Sequence, residues 1–221
     1  PGYRIHFHNQ AHDQGGGDLF DWTKTADDDY FITVGDVMGK GVRAKFYAFS
    51  FLSYVRGTLH AMLRESDSPA ELLRRVNQML IEDEVMEETF ASLLLLNWDP
   101  KRHTITYANA GHCRPVLVRP NGAEIVAHSD LILGLEPGTQ FTDSTIELPP
   151  NSALMLYTDG LMEQRLPSGN TLGEDGVMDL AAEALTAEEP IQALLNDALD
   201  RSEATEFEDD ILVFWLQRAN D

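Results

Sequence analysis

Cysteine is nearly absent from this chain of 221 residues, where Cys113 stands alone. No internal disulfide can form, which fits a reducing compartment and hence the cytoplasm. No Cys/His spacing of the zinc-binding kind occurs, and no partner pattern accompanies Cys113, which reads as a small buried residue. Basic residues are scarce: 16 Lys and Arg stand against 37 Asp and Glu, for a formal net charge of -21. Such a surface excludes nucleic-acid phosphate and anionic membrane as natural partners. It does not exclude a phosphorylated protein, because bound metals reverse the local field. Long apolar runs are missing too. Phe90 to Leu96 and Ile211 to Leu216 are the longest, far short of a membrane span. No signal peptide, Walker-type loop or internal repeat is visible. An initiator Met is lacking at Pro1, so the chain reads as a single domain over residues 1–221 whose N-terminal regulatory domain has been removed.

What is present alternates between two periodicities. Tyr3 to His8 alternates as a strand, and Leu19 to Thr23 and Tyr30 to Gly35 read as two strands joined by an acidic turn at Asp27 to Asp29. Val42 to Arg64 contains helix formers without proline and predicts one long helix. Ser68-Pro69-Ala70-Glu71 opens a second, with Ser68 as cap, Pro69 in the first turn and Leu72, Leu73, Val76, Met79 and Leu80 as its apolar stripe. Strands return at Phe90 to Trp98, His103 to Asn109, Pro115 to Arg119, Ala123 to Ala127, Phe141 to Leu148 and Ala153 to Tyr157. Helices are predicted over Gly176 to Ala184 and Pro190 to Ser202, and a strand at Ile211 to Leu216. The order favours one α+β domain.

Four short acidic motifs sit at the edges of apolar runs. They are Gly15-Gly16-Gly17-Asp18, Val34-Gly35-Asp36-Val37-Met38-Gly39-Lys40-Gly41, Tyr157-Thr158-Asp159-Gly160 and Glu208-Asp209-Asp210-Ile211-Leu212. Carboxylates brought together cannot all stay ionised without cations among them. Asp side chains and backbone carbonyls are hard oxygen ligands that suit Mg²⁺ or Mn²⁺. Two such ions about 3.5–4 Å apart are a common device for phosphoester hydrolysis. Gly35 and Gly39 are expected to let the backbone approach the metals.

The ordered set of Gly16-Gly17-Asp18, Gly35-Asp36-Val37-Met38-Gly39-Lys40-Gly41, Tyr107-Ala108-Asn109-Ala110-Gly111-His112, Leu156-Tyr157-Thr158-Asp159-Gly160-Leu161 and Asp209-Asp210-Ile211 resembles the bacterial metal-dependent (PPM, protein phosphatase 2C-like) serine/threonine phosphatases of the sporulation-protein-E type. The resemblance spans nearly the whole chain. It implies a four-layer α-β-β-α sandwich, with two mainly antiparallel sheets packed face to face and flanked by helices. It implies two ions, Mn²⁺ or Mg²⁺, whose bridging hydroxide attacks phosphoserine or phosphothreonine, with Asp36, Asp159 and Asp209 as the catalytic carboxylates. Asp36 would bridge the metals, Asp18 and the Val37 carbonyl would serve one, and Asp159 and Asp209 the other. Asp210, Asp21 and Gly160 would support the site from beside it. His112 is either near the substrate or a proton donor, or else part of a turn holding two strands, and the turn is the preferred reading. Met38 stands where eukaryotic relatives carry a His proposed as general acid.

The implied substrate is a phosphorylated regulatory protein such as an anti-sigma factor antagonist. The implied neighbour is an N-terminal receiver or sensor domain, as in a response regulator, and a homodimer is allowed. No nucleic acid or membrane partner is expected. The competing reading is a phosphatase-like adaptor of a sigma-factor pathway that acts without catalysis, which loss of the metal carboxylates would mark. All four principal Asp residues are present.

Overall fold

The computed structural model describes residues 2–12, 17–25, 27–37, 42–62, 68–83, 89–126 and 128–220, with the side chains of 42–48 and 59 set aside. Two compact units make up the chain. The first comprises Pro1–Gly16, Cys113–Ala127 and Leu148–Asp221, and the second Gly17–His112 and His128–Glu147.

In the first unit, β1 (Tyr3–Gln10), β6 (Val116–Arg119), β7 (Gly122–Ile125), β9 (Ser152–Tyr157) and β10 (Ile211–Arg218) form one sheet in the order β1-β10-β9-β6-β7. Every pairing is antiparallel. β10 is buried along its whole length, which explains why its sequence is a continuous apolar run instead of an alternating one. Helices α3 (Asp159–Glu163), α4 (Gly173–Ala184) and α5 (Pro190–Ser202) complete the unit. Val177, Leu180, Leu194 and Ala198 join Met155, Tyr157, Val213 and Trp215 in one core cluster.

In the second unit, β2 (Asp18–Lys24), β3 (Tyr30–Val37), β4 (Ala91–Asp99), β5 (Thr104–Ala110) and β8 (Ser144–Glu147) form a second antiparallel sheet in sequence order. Helices α1 (Val42–Met62) and α2 (Pro69–Glu82) cover one face. There Leu19, Phe31, Val37, Leu93 and Leu95 meet Phe51, Val55, Leu72, Leu73 and Val76. The other face of β3 and β4 is buried as well, at Val34, Leu94 and Leu96. The expected α+β class with two antiparallel sheets is observed.

Local chemistry accounts for the boundaries. Ser68 caps α2 as expected, its Oγ accepting the Glu71 N–H at 3.1 Å. Asp143 adds a second cap: its carboxylate accepts the Ala70 N–H at 2.8 Å and the Ser68 hydroxyl at 2.6 Å, placing a negative charge at the helix N-terminus. Several sequence expectations need correction: β8 (Ser144–Glu147) is shorter than the strand expected over Phe141 to Leu148, and α4 starts at Gly173, before Gly176. Met79 is 37% exposed at the edge of the α2 stripe, whereas Asn77, only 1% exposed, takes an inner position. β5 starts one residue later than expected, because His103 has φ +58 and cannot extend the strand. Helix α3, five residues long, was not expected at all.

Asn77 earns its buried place by tying α2 to the 134–136 loop. Its Oδ1 accepts the Gly134 N–H at 2.8 Å and its Nδ2 donates to the Glu136 carbonyl at 3.0 Å. Asn77→Ala is expected to lower unfolding stability in urea by about 1–3 kcal/mol, because both loop groups lose their partner away from water. An unchanged midpoint would show that the loop finds other partners.

Candidate functional site

Asp18 and Asp36 lie directly opposite each other on β2 and β3. The Val37 N–H donates to the Gly17 carbonyl at 3.4 Å, which makes 17 and 37 a hydrogen-bonded pair. The next pair, 18 and 36, is therefore the closer, non-hydrogen-bonded kind, with Cβ atoms about 4.5–5.5 Å apart. Two carboxylates so placed repel each other unless a cation or proton intervenes. The hairpin builds this arrangement from its turn: strands that reverse around Asp27 and Asp28, the latter with φ +69, bring 18 opposite 36.

Gly17 completes the arrangement. A Cβ at this position would collide with Asp36 Oδ1 and lie 3.1 Å from the Val37 carbonyl oxygen. Two hard oxygen donors thus border the space that glycine leaves open, beside a second carboxylate. That donor set fits Mg²⁺ or Mn²⁺ and does not resemble a zinc site. In the sequence, the signal for this role is the place of Gly17 immediately before the first strand Asp.

The pleat separates Asp21 from this group. It lies three residues from Asp18 and so on the opposite face, where it pairs with Arg56 of α1 at 2.9 Å. The structure does not bring it to Asp18 and Asp36, and its evident work is to fasten α1 to β2. Gly35 likewise serves packing: a Cβ there would lie 2.6 Å from the Ser92 carbonyl and 2.7 Å from Leu93 Cδ1. Met38, Gly39 and Lys40 lie outside the described residues.

The first unit carries the other acidic group. β9 ends at Tyr157, and the Leu212 N–H donates to Thr158 Oγ1 at 3.0 Å, fixing the start of α3 against β10. Asp159 then opens α3. Burial, with smaller contributions from Glu163 and Asp209, raises the pKa of its carboxyl above the ordinary 3.8. Asp209 Oδ1 accepts the Asp210 N–H at 2.8 Å. Asp210 accepts the His12 N–H at 2.7 Å and thereby holds the segment that follows β1. Gly160 gives that segment of chain room, since a Cβ there would collide with the Asp210 carbonyl. The structure thus brings Asp159 into electrostatic contact with Asp209 and packs Gly160 against Asp210.

Asn109-Ala110-Gly111-His112 forms the turn that leaves β5. The His112 N–H donates to Asn109 Oδ1 at 2.8 Å, and Asn109 Nδ2 donates back to the His112 carbonyl at 3.0 Å. Among the described residues, no group of three or more His, Cys, Asp or Glu side chains is gathered as a metal site. Likewise no helix among them is long and apolar enough to cross a membrane.

Comparison with known proteins adds an independent line. The family model described as Stage II sporulation protein E (SpoIIE) matches residues 26–219. The phosphoserine phosphatase RsbP of Bacillus subtilis is 25% identical over 161 residues, covering 72% of this chain and 40% of RsbP. The chain therefore spans well under two thirds of that relative. The solved RsbU and RsbW domains of Rv1364c from Mycobacterium tuberculosis superpose with a TM-score of 0.77 at 27% identity, over 99% of this chain and 60% of that one. The SiaA-PP2C domain of Pseudomonas aeruginosa superposes with a TM-score of 0.84 at 19% identity, over 96% of this chain and 85% of that one, which shows a shared fold.

The raised Asp159 pKa carries a pH signature. A carboxyl whose folded pKa exceeds its unfolded value favours the native state while protonated. That contribution is complete below pH 3.8 and is lost as pH rises through the folded pKa. In protein freed of divalent cations, Asp159→Asn is expected to remove this loss, so the variant falls less in stability than the parent between acid and neutral pH. Parallel denaturation curves for the two proteins across that range would contradict the assignment.

Proposed function

Because the chain belongs to the SpoIIE family of PP2C-type serine/threonine phosphatases, we propose that it hydrolyses phosphoserine or phosphothreonine on a partner protein with the help of two divalent cations, Mn²⁺ or Mg²⁺. The observation that carries this reading is the opposed pair of Asp18 and Asp36 beside the Val37 carbonyl, with Gly17 keeping the space among them open. Asp36 would bridge the ions, Asp18 and the Val37 carbonyl would complete one, and Asp159 and Asp209 would hold the other. Bound cations supply Lewis acidity toward the phosphoryl oxygens and water ionised at neutral pH.

The protein's own groups then have defined tasks. By holding cations, the carboxylates would place positive charge where a phosphate dianion must approach a chain of net charge -21. Gly160 lets the Asp210 backbone approach the start of α3, which keeps Asp209 near Asp159. Direct transfer of the phosphoryl group to water, without a covalent phosphoenzyme, is part of this reading. By likeness to a protein named phosphoserine phosphatase, the substrate is proposed to be a phosphorylated regulator such as an anti-sigma factor antagonist. Control of the activity by a receiver or sensor domain is proposed with it.

Hydrolysis of a phosphoserine peptide should require Mn²⁺ or Mg²⁺ and disappear with chelator. Asp36→Asn should lower kcat/KM by on the order of 10³-fold, as several kcal/mol of charge stabilisation are lost. Gly17→Ala should lower it by about 10²-fold by displacing the Asp36 carboxylate. Activity indifferent to chelator and to both changes would remove the metal mechanism and leave the adaptor reading.

A further inference from the structure

A row of side chains crosses the second sheet at the level of Asp36. The register pairs Asp18 with Asp36, and Asp36 in turn with Ser92 of β4. Directly opposed residues share one face of a sheet, so these three form a continuous line. The next place in the line, on the far side of Ser92, belongs to Gly111. It follows the last β4–β5 pair, Leu93 with Ala110. Gly111 offers no side chain, and its φ of +69 turns the chain out of the strand. His112 fills the vacancy instead: its Nδ1 lies 2.8 Å from Ser92 Oγ.

The imidazole is held firmly. Asn109, fully buried, grips the His112 backbone at both its N–H and its carbonyl, and His112 itself is only 5% exposed. The two Asn109 bonds close the turn upon itself and fix where the imidazole sits. The ring makes a directed polar contact with Ser92, the residue opposite Asp36.

We propose that His112 and Ser92 are positioning residues that orient the Asp36 carboxylate toward its cation. With Nδ1 protonated, His112 donates to Ser92 Oγ, and the serine hydroxyl hydrogen is left for the carboxylate opposite. A neutral hydroxyl can orient a carboxylate without neutralising the charge that attracts a metal. Loss of such outer partners of a metal ligand characteristically costs 10–100-fold in affinity or activity. This inference rests on the metal-dependent reading of Asp36 given above.

Calorimetric titration with Mn²⁺, paired with urea denaturation of the metal-free protein, tests it. Ser92→Ala and His112→Ala should each weaken Mn²⁺ binding about 10–100-fold. The double variant should be no weaker than the weaker single one, because both act through one contact. Ser92→Thr, which keeps the hydroxyl, should retain affinity. Ser92→Ala is small and keeps the test informative if His112→Ala fails to fold. Unchanged Mn²⁺ affinity in Ser92→Ala, with only a lower denaturation midpoint, would reduce the pair to a fastener of the turn and overturn the proposal. If the parent protein takes up no Mn²⁺, the metal-dependent reading itself fails and this one falls with it. If the parent binds and the variants bind equally, only the positioning role is lost.

Discussion

The repulsion between two carboxylates fixed on adjacent strands is the constraint from which the chemistry of this fold follows. Asp18 and Asp36 are opposed by the register of a hairpin whose hydrophobic face is already committed. Leu19, Phe31 and Val37 point into the core beneath α1 and α2. A slip of one residue would relieve the two charges but turn that apolar set toward the opposite face. The packing of the second unit thus holds the acidic pair in place, where a cation is proposed to bind. Glycine at position 17 belongs to the same solution, because any larger residue would occupy the space toward which the Asp36 and Val37 oxygens are directed.

Much of this was legible in the chain before the structure. The α2 boundary followed from Ser68 and Pro69, because capping chemistry is local. The 18–36 pairing could be inferred from the acidic turn at its centre, since a short hairpin fixes its own register. The α+β class with two antiparallel sheets followed from the order of elements. Asp21 could also have been placed correctly, as an odd spacing from Asp18 in a strand changes face.

Other features were not legible, for physical reasons. A five-residue helix such as α3 is too short to show a helical period. Asn77 replaced Met79 at the inner face of α2 because the 134–136 loop needs a donor and an acceptor there, a demand set far away in sequence. The Asp143 cap on α2 comes from a loop more than seventy residues later. The contact between His112 and Ser92 depends on where two separate strands end, which no local pattern records. Candidate carboxylates can be picked out by motif, whereas the groups that orient them emerge only from register.

The central claim is that divalent cations are held at Asp36. Anomalous diffraction from crystals grown with Mn²⁺ tests it most directly. The account predicts a manganese peak at coordination distance from both the Asp36 carboxylate and the Val37 carbonyl. A fully active protein whose crystals, at saturating Mn²⁺, show no anomalous peak beside Asp36 would contradict it.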